Sequence, residues 1–223
     1  MAALDNLFWA ALADTQRALT VGTDRVRRYA PGLPPLLAFA DPQHPSLEEL
    51  APFCERGERF YAADWQGPAP AGWQVELEAR MELMVWSGGE PAPEPVESVP
   101  LDARHVAQMV ELATLTKPGP FGPRNLELGR YLGCFEQGRL VAMAGERMQA
   151  GRLREVSAIC THPDSQGRGL ARRLVQRMVA TQLERGETPF LHVMSSNAGA
   201  VHLYRKLGFE TYRTCAVRVV ART

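Results

Sequence analysis

Gln166-Gly167-Arg168-Gly169-Leu170-Ala171 stands between a short apolar run and a long amphipathic one. Upstream, Val156-Ser157-Ala158-Ile159-Cys160-Thr161 is partly β-branched and stops at His162-Pro163. Downstream, Leu170, Ala171, Leu174, Val175, Met178, Val179 and Leu183 recur at three- and four-residue spacing, the stripe of one buried helix face. Strand, glycine turn and helix start therefore follow in order. The first amides of a helix lack intrahelical partners, and the helix dipole places partial positive charge there. Gly167 and Gly169 remove side chains that would hold an anion away, and Arg168 adds a formal charge. A phosphate or pyrophosphate suits such a turn.

The loop excludes two common phosphate binders. A Walker loop needs Gly-Lys-Ser/Thr, and no lysine occurs between Gly151 and Arg205. A dinucleotide fingerprint needs a third glycine where Arg172 stands. The pattern Gln/Arg-x-x-Gly-x-Gly/Ala, filled by Gln166, Gly169 and Ala171, resembles the acyl-coenzyme A loop of the GNAT superfamily of N-acetyltransferases. Further along, Asn197, Ala200, Tyr204, Gly208 and Phe209 fill every position of a segment similar to that superfamily's Asn-x-x-Ala-x-x-x-Tyr-x-x-x-Gly-Phe signature. Asn197 is placed to cap a helix carrying Ala200, Leu203, Tyr204 and Leu207, which Gly208 ends. The resemblance covers roughly Val96 to Thr223 and looks most like the branch containing the C-terminal domains of glycine N-acyltransferases.

The resemblance implies acetyl-coenzyme A as acyl donor and an amine as acceptor. Its pyrophosphate would lie on Gln166, Gly167, Arg168, Gly169, Leu170 and Ala171, its arm along Ile159, Cys160 and Thr161, and Asn197 would hold that arm. Glu155, opening the strand, matches a position used as general base in some members, with an ordinary strand-end glutamate as the alternative. Tyr204 matches the general-acid position. Cys160 lies in an apolar run with no histidine positioned to activate it and reads as a core thiol. His192 either faces the acceptor or is a satisfied, half-buried histidine, and the second is favoured. His162 and His202 lack ligand spacing and read as solvent-facing, so no metal is expected. Lys117 and Phe121, in the loop that shapes the family's acceptor pocket, are candidates for substrate contact.

Among 223 residues, 25 Lys and Arg balance 25 Asp and Glu, so nothing points to nucleic acid. No apolar run reaches the roughly 20 residues of a membrane helix, and the opening MAALDNLFWAALADTQ has no basic leader. Cys54, Cys134, Cys160 and Cys215 are scattered, against zinc or a disulfide framework and in keeping with a reducing cytoplasm. The expectation is a cytoplasmic monomer or homodimer acting on a small amine. A non-catalytic acyl-coenzyme A module and a protein-interaction module on the same fold are the rival readings.

The elements fit an α/β chain with a mixed, mostly antiparallel sheet flanked by helices. Leu4 to Leu19 reads as a helix and Leu36 to Ala40 as a strand. Ser46-Leu47-Glu48-Glu49 reads as a capping box for a short helix, and Arg59 to Trp65 as a strand. From Trp73 to Trp86, apolar Val75, Leu77, Ala79, Met81, Leu83 and Val85 alternate with polar residues, a long half-buried strand. Ser87 to Pro95, rich in Pro and Gly, reads as a linker between an amino-terminal half (1–86) and an acyltransferase domain (96–223). Beyond it come a strand at Val96 to Val99, a helix from Ala103 to Leu115 with Val106, Met109, Val110 and Ala113 buried, an ordered KPGPFGP loop, and a hairpin turning at Gln137-Gly138. Ala40-Asp41-Pro42 and Glu55-Arg56-Gly57-Glu58 echo Thr161-His162-Pro163 and Glu184-Arg185-Gly186-Glu187. The first half is thus either a degenerate copy of the second, without the glycine loop, or the two ERGE turns are a coincidence.

Overall fold

The structure is a computed structural model that describes residues 2–89 and 94–223. Among these residues one sheet of eleven strands is formed. In chain order they are β1 (Thr20–Gly22), β2 (Val26–Tyr29), β3 (Leu36–Phe39), β4 (Arg59–Ala63), β5 (Trp73–Trp86), β6 (Val99–Pro100), β7 (Tyr131–Glu136), β8 (Arg139–Ala150), β9 (Leu153–Thr161), β10 (Thr188–Met194) and β11 (Phe209–Arg222). Across the sheet they lie as β1-β2-β3-β4-β11-β5-β10-β9-β8-β7-β6. Two neighbouring pairs, β3 with β4 and β9 with β10, are parallel. The other neighbours are antiparallel.

This order has a centre, between β11 and β5. Outward from it on one flank lie β4, its parallel partner β3 and then β2 and β1; on the other lie β10, its parallel partner β9 and then β8 and β7. The two central strands have changed sides. β5, from the first half, pairs with β10, and β11, from the second, pairs with β4. The two also pair with each other along nearly their whole length, from Phe209 opposite Trp86 to Arg222 opposite Trp73. Of the segment 87–95, residues 90–93 lie outside the described residues.

Among the described residues six α-helices flank the sheet: α1 (Ala2–Asp5), α2 (Leu7–Ala10), α3 (Leu47–Leu50), α4 (Val106–Thr116), α5 (Leu170–Glu184) and α6 (Ala198–Lys206). α5 turns Leu170, Leu174, Val175, Met178 and Val179 inward, the stripe its spacing requires. With Val201 and Tyr204 of α6 it covers Met84, Ala142, Ala144, Val156, Leu191 and Phe209. α2 contributes Leu7 and Phe8 to a separate core with Met81, Leu83, Met148, Phe190 and Cys215. Leu83 and Met84 are consecutive in β5 and enter different cores, as strand alternation demands. The fold is therefore mixed, with a mostly antiparallel sheet between helices, as expected.

Several local readings need correction. The helix anticipated over Leu4 to Leu19 breaks at Asn6, which caps α2, and then loosens into a π turn (Ala11–Thr15) and a 3-10 turn (Arg17–Leu19). Ser46 makes no side-chain cap. The Glu49 carboxylate that should complete its box is taken by the Thr23 hydroxyl and by Arg25, so α3 lasts one turn. A capping box does form at Asp102 with His105. The strand anticipated from Val96 is reduced to Val99–Pro100, and the Val96 carbonyl accepts from Arg177 instead. In α4 the buried side is Met109, Leu112 and Ala113. His162 is buried rather than solvent-facing, its Nε2 against Arg139 Nη2 at 2.6 Å, whereas His202 is exposed.

Candidate active site

β9 and β10 are side by side for only three residue pairs, Leu153 with Thr188 to Phe190 with Glu155. Beyond them β10 keeps to β5, from Phe190 opposite Val85 to Met194 opposite Met81, while β9 keeps to β8 as far as Thr161. The two strands thus open into a cleft. Its β9 wall is irregular: Ala158 and Ile159 stand against the single Ala144, and Ala158 has φ +51°. Such a bulge withdraws a peptide from the ladder and frees its polar groups for another partner.

The glycine loop closes one end of this cleft. Gly167 (φ +76°) and Gly169 (φ +72°) are left-handed, a region that favours glycine. A Cβ at Gly167 would meet nothing within 4 Å, so the cradle over the first amides of α5 is open. Thr161 Oγ1, just before the loop, is buried with no hydrogen-bond partner among the described residues. An open cradle of helix amides beside an orphan hydroxyl fits a pyrophosphate and the polar arm attached to it. Arg168, the cation expected there, is ion-paired with Glu136. Cys160 is buried, and burial pushes its thiol up to about 11, so it is a core thiol and no nucleophile.

Tyr204 and Asn197 sit as α6 requires. Asn197 Oδ1 accepts from Ala200 N at 3.1 Å, the anticipated cap, and Gly208 (φ +98°) follows the helix end. Tyr204 is 7% exposed, packs edge-on to Phe209 and lies within electrostatic reach of Cys160 in β9. Burial pushes its phenol up to about 12, which keeps the proton on it.

Glu155 is a different kind of residue from the one anticipated. It is fully buried, at 0% exposure, so no incoming amine meets it. Its carboxylate accepts from Arg147 Nε at 2.8 Å and Nη2 at 2.6 Å, and from Met148 N at 3.1 Å, while His192 Nδ1 lies 2.8 Å from it. Burial pushes its pKa up, but the charge and hydrogen bonds of Arg147, helped by His192, outweigh that and hold it at about 2. A carboxylate so stabilised is a poor proton acceptor. His192, on β10 with its side chain 6% exposed, is packed edge-on by Phe8 at 5.4 Å and Phe190 at 5.8 Å. Its Nε2 has no hydrogen-bond partner among the described residues. Arg147 and the Glu155–His192 pairing escape sequence reading, because the strands that join them are distant in the chain.

Lys117 caps α4 in a left-handed conformation, and Phe121 packs edge-on to Tyr131 at 6.1 Å. Their loop is pinned to the first half: Arg124 N donates to Gly32 O at 3.0 Å and Arg124 Nη1 to Pro31 O at 2.8 Å.

Residues 131–219, which hold the cleft, the loop and α6, match the family described as FR47-like protein. Over 118 residues, 49% of the chain, the protein is 34% identical to the N-alpha-acetyltransferase RimI of Mycobacterium tuberculosis, covering 73% of that relative. The structure superposes on a GNAT-family protein from Novosphingobium aromaticivorans with a TM-score of 0.91 and 33% identity, over 99% of this chain and 98% of that one. This chain belongs to the GNAT family of acetyltransferases.

The GNAT likeness to the Novosphingobium protein spans both halves of the sheet. A mycothiol acetyltransferase from Saccharomonospora viridis is 43% identical over 61 residues, but this GNAT chain spans only 20% of its length. No helix among the described residues is long and apolar enough to cross a membrane.

Proposed function

We propose that this acetyltransferase moves the acetyl group of acetyl-coenzyme A directly to the primary amine of a small molecule, with His192 as general base and Tyr204 as general acid. The observation that carries the reading is the β9–β10 cleft. It has a bulged peptide in one wall and the His192–Glu155 pair on the two strands that form it, with Tyr204 of α6 in the adjoining core. Bound acetyl-coenzyme A supplies an acetyl group activated as a thioester. Gln166, Gly167, Arg168, Gly169, Leu170 and Ala171 would hold its pyrophosphate. Backbone groups of Ile159, Cys160 and Thr161, the Thr161 hydroxyl and the Asn197 amide would hold its arm.

An amine is protonated in water and must lose that proton to attack. His192 donates Nδ1–H to Glu155 in this reading, which leaves the Nε2 lone pair to take the proton. Ionised Glu155 fixes that tautomer and stabilises the imidazolium that forms, the part an orienting carboxylate plays beside a catalytic histidine. The amide withdrawn at Ala158–Ile159 is available to a developing oxyanion. Tyr204 Oη holds its proton until the leaving sulfur takes it.

The pinned loop, held to Pro31 and Gly32 through Arg124, supports a small acceptor. A protein amino terminus is the second reading, favoured by the likeness to RimI. Within the family, the placement we favour is the branch of the glycine N-acyltransferases, with residues 1–86 a degenerate repeat of 96–223. The mirrored strand order supports the repeat.

A thiol-release assay over amines, amino acids and peptides, with acetyl- and longer acyl-coenzyme A, tests the reading. With the best acceptor, His192→Gln and Tyr204→Phe are expected to lose about 10²- to 10⁴-fold in turnover, the usual worth of a general base or acid, while coenzyme A affinity changes little. The loss in His192→Gln is expected to be partly rescued at higher pH, where more of the amine is already neutral. Wild-type turnover in either folded variant removes that residue's role. No turnover on any acceptor, with coenzyme A bound, leaves a non-catalytic module.

A further inference from the structure

β8 carries its own irregularity beside the site. Glu146 is opposite Val156 and Gln149 opposite Arg154, so Arg147 and Met148 together face Glu155. The bulge has two consequences. It turns the Arg147 guanidinium and the Met148 amide onto the Glu155 carboxylate. It also leaves the Arg147 carbonyl and the Gln149 amide without ladder partners in a buried place, where unpaired polar groups are costly.

Both orphans are taken by one side chain of the other half. Gln16 Nε2 donates to Arg147 O at 2.9 Å, and Gln149 N donates to Gln16 Oε1 at 3.0 Å. A third bond, from Tyr29 Oη to Gln16 Oε1 at 2.6 Å, completes the set. A carbonyl and an amide must face opposite ends of the Gln16 amide, so its orientation is fixed. Gln16 is 6% exposed and ends the π turn after α2, whose Phe8 packs on His192. The same segment is tied once more, by Gly151 N to Thr15 Oγ1 at 2.9 Å.

We propose that Gln16 is a positioning residue for the acetyl transfer. Its amide holds the β8 bulge, the bulge holds Arg147 and Met148 N on Glu155, and Glu155 in turn holds the Nδ1–H tautomer of His192. The amino-terminal half thereby acts on the proton-accepting nitrogen without touching either substrate. This rests on His192 being the base, and the experiment separates the two claims.

Gln16→Met keeps the length and apolar bulk of the side chain and removes its three hydrogen bonds. Thr15→Val, which removes only the tie to Gly151, is the control. The measurements are the ¹⁵N spectrum of the His192 imidazole, turnover, and coenzyme A affinity by calorimetry. In Gln16→Met, His192 is expected to leave its single Nδ1–H tautomer for a mixture. Turnover should fall roughly 10- to 100-fold, as small misplacements of catalytic groups cause, with coenzyme A affinity unchanged. Thr15→Val is expected to match the wild type in all three. If Gln16→Met does not fold, Tyr29→Phe removes one of the three bonds and is expected to shift the spectrum the same way. An unchanged His192 spectrum in a folded variant overturns the proposal. A changed spectrum with wild-type turnover upholds the positioning and overturns His192 as base.

Discussion

β3 with β4 and β9 with β10 are the two parallel pairs of the sheet, at matching distances from its centre, yet only the second opens into a cleft with an anion cradle. Each is followed, across its central strand, by a long strand from the opposite half. Around β3 and β4 the space is filled. Phe39, Phe60, Trp65 and Trp73 pack with Leu37, Leu47, Leu50 and Val220, Arg28 stacks over Phe60 and Arg218 over Trp65. The helix between that pair, α3, is a single turn with no glycine loop before it. A parallel pair in this plan is therefore only a frame. A bulge that frees a peptide and a glycine turn over a long helix convert it into a site, and large aromatic side chains convert it into a core.

Removing one half breaks the comparison most completely. A chain beginning at Val96 lacks β5, so β10 and β11 lose the strand that joins them. It is expected to be aggregated or unfolded, because apolar faces and strand edges are left open. A soluble, active monomer by light scattering and assay would show that the second half needs no strand from the first.

The next effect is on ligand binding. Gly169→Val places a β-branched residue at φ +72° over the cradle and is expected to lower coenzyme A affinity by at least about 100-fold, an estimate based on roughly 3 kcal/mol for lost charge-assisted bonds. Trp65→Ala, in the filled pair, is expected to leave that affinity unchanged while costing about 3 to 5 kcal/mol of stability. Calorimetry and denaturant titration on both variants give four numbers, and the crossed pattern is the prediction. If Trp65→Ala weakens coenzyme A as strongly, the first half is no mere frame.

The smallest effect concerns acid. Glu155 is held at about 2, below its ordinary 4.5. Its contribution to stability is therefore present above that ordinary value and is lost as pH falls from about 4.5 to 2. Thermal melts of wild type and Glu155→Gln are expected to converge over that window, the variant being the weaker at neutral pH because it leaves Arg147 buried and unpaired. Parallel curves would mean that the ion pair contributes nothing.

What the sequence shows of this site is what is local in it. The glycine turn, the α6 cap at Asn197 and the hairpin at Gln137-Gly138 each depend on residues within a few positions, and each is found where their chemistry requires. The β5 alternation is equally legible, although Leu77 on its apolar side is 52% exposed. Bulges at Arg147–Met148 and Ala158–Ile159 are not legible, because register belongs to a pair of strands and not to either alone. Glu155 reads as an open carboxylate because its partners, Arg147 and His192, lie on the two strands that flank it. His192 reads as a satisfied, half-buried histidine, but the carboxylate that satisfies it is hidden for the same reason. The exchange of β5 and β11 leaves no trace in composition or periodicity, since each is an ordinary alternating strand.

That exchange has a consequence for how the molecule is made. Neither half can complete its side of the sheet with its own long strand, so β5 waits for β10 and β11, and β4 waits for β11. Contacts between elements so far apart in the chain are slow to form, and the open edges of β5 remain sticky in the meantime. A second copy of the chain offers the same partners to those edges. At high concentration, refolding is therefore expected to divert a fraction of molecules into dimers in which each β5 completes the other's sheet, while dilute chains close on themselves.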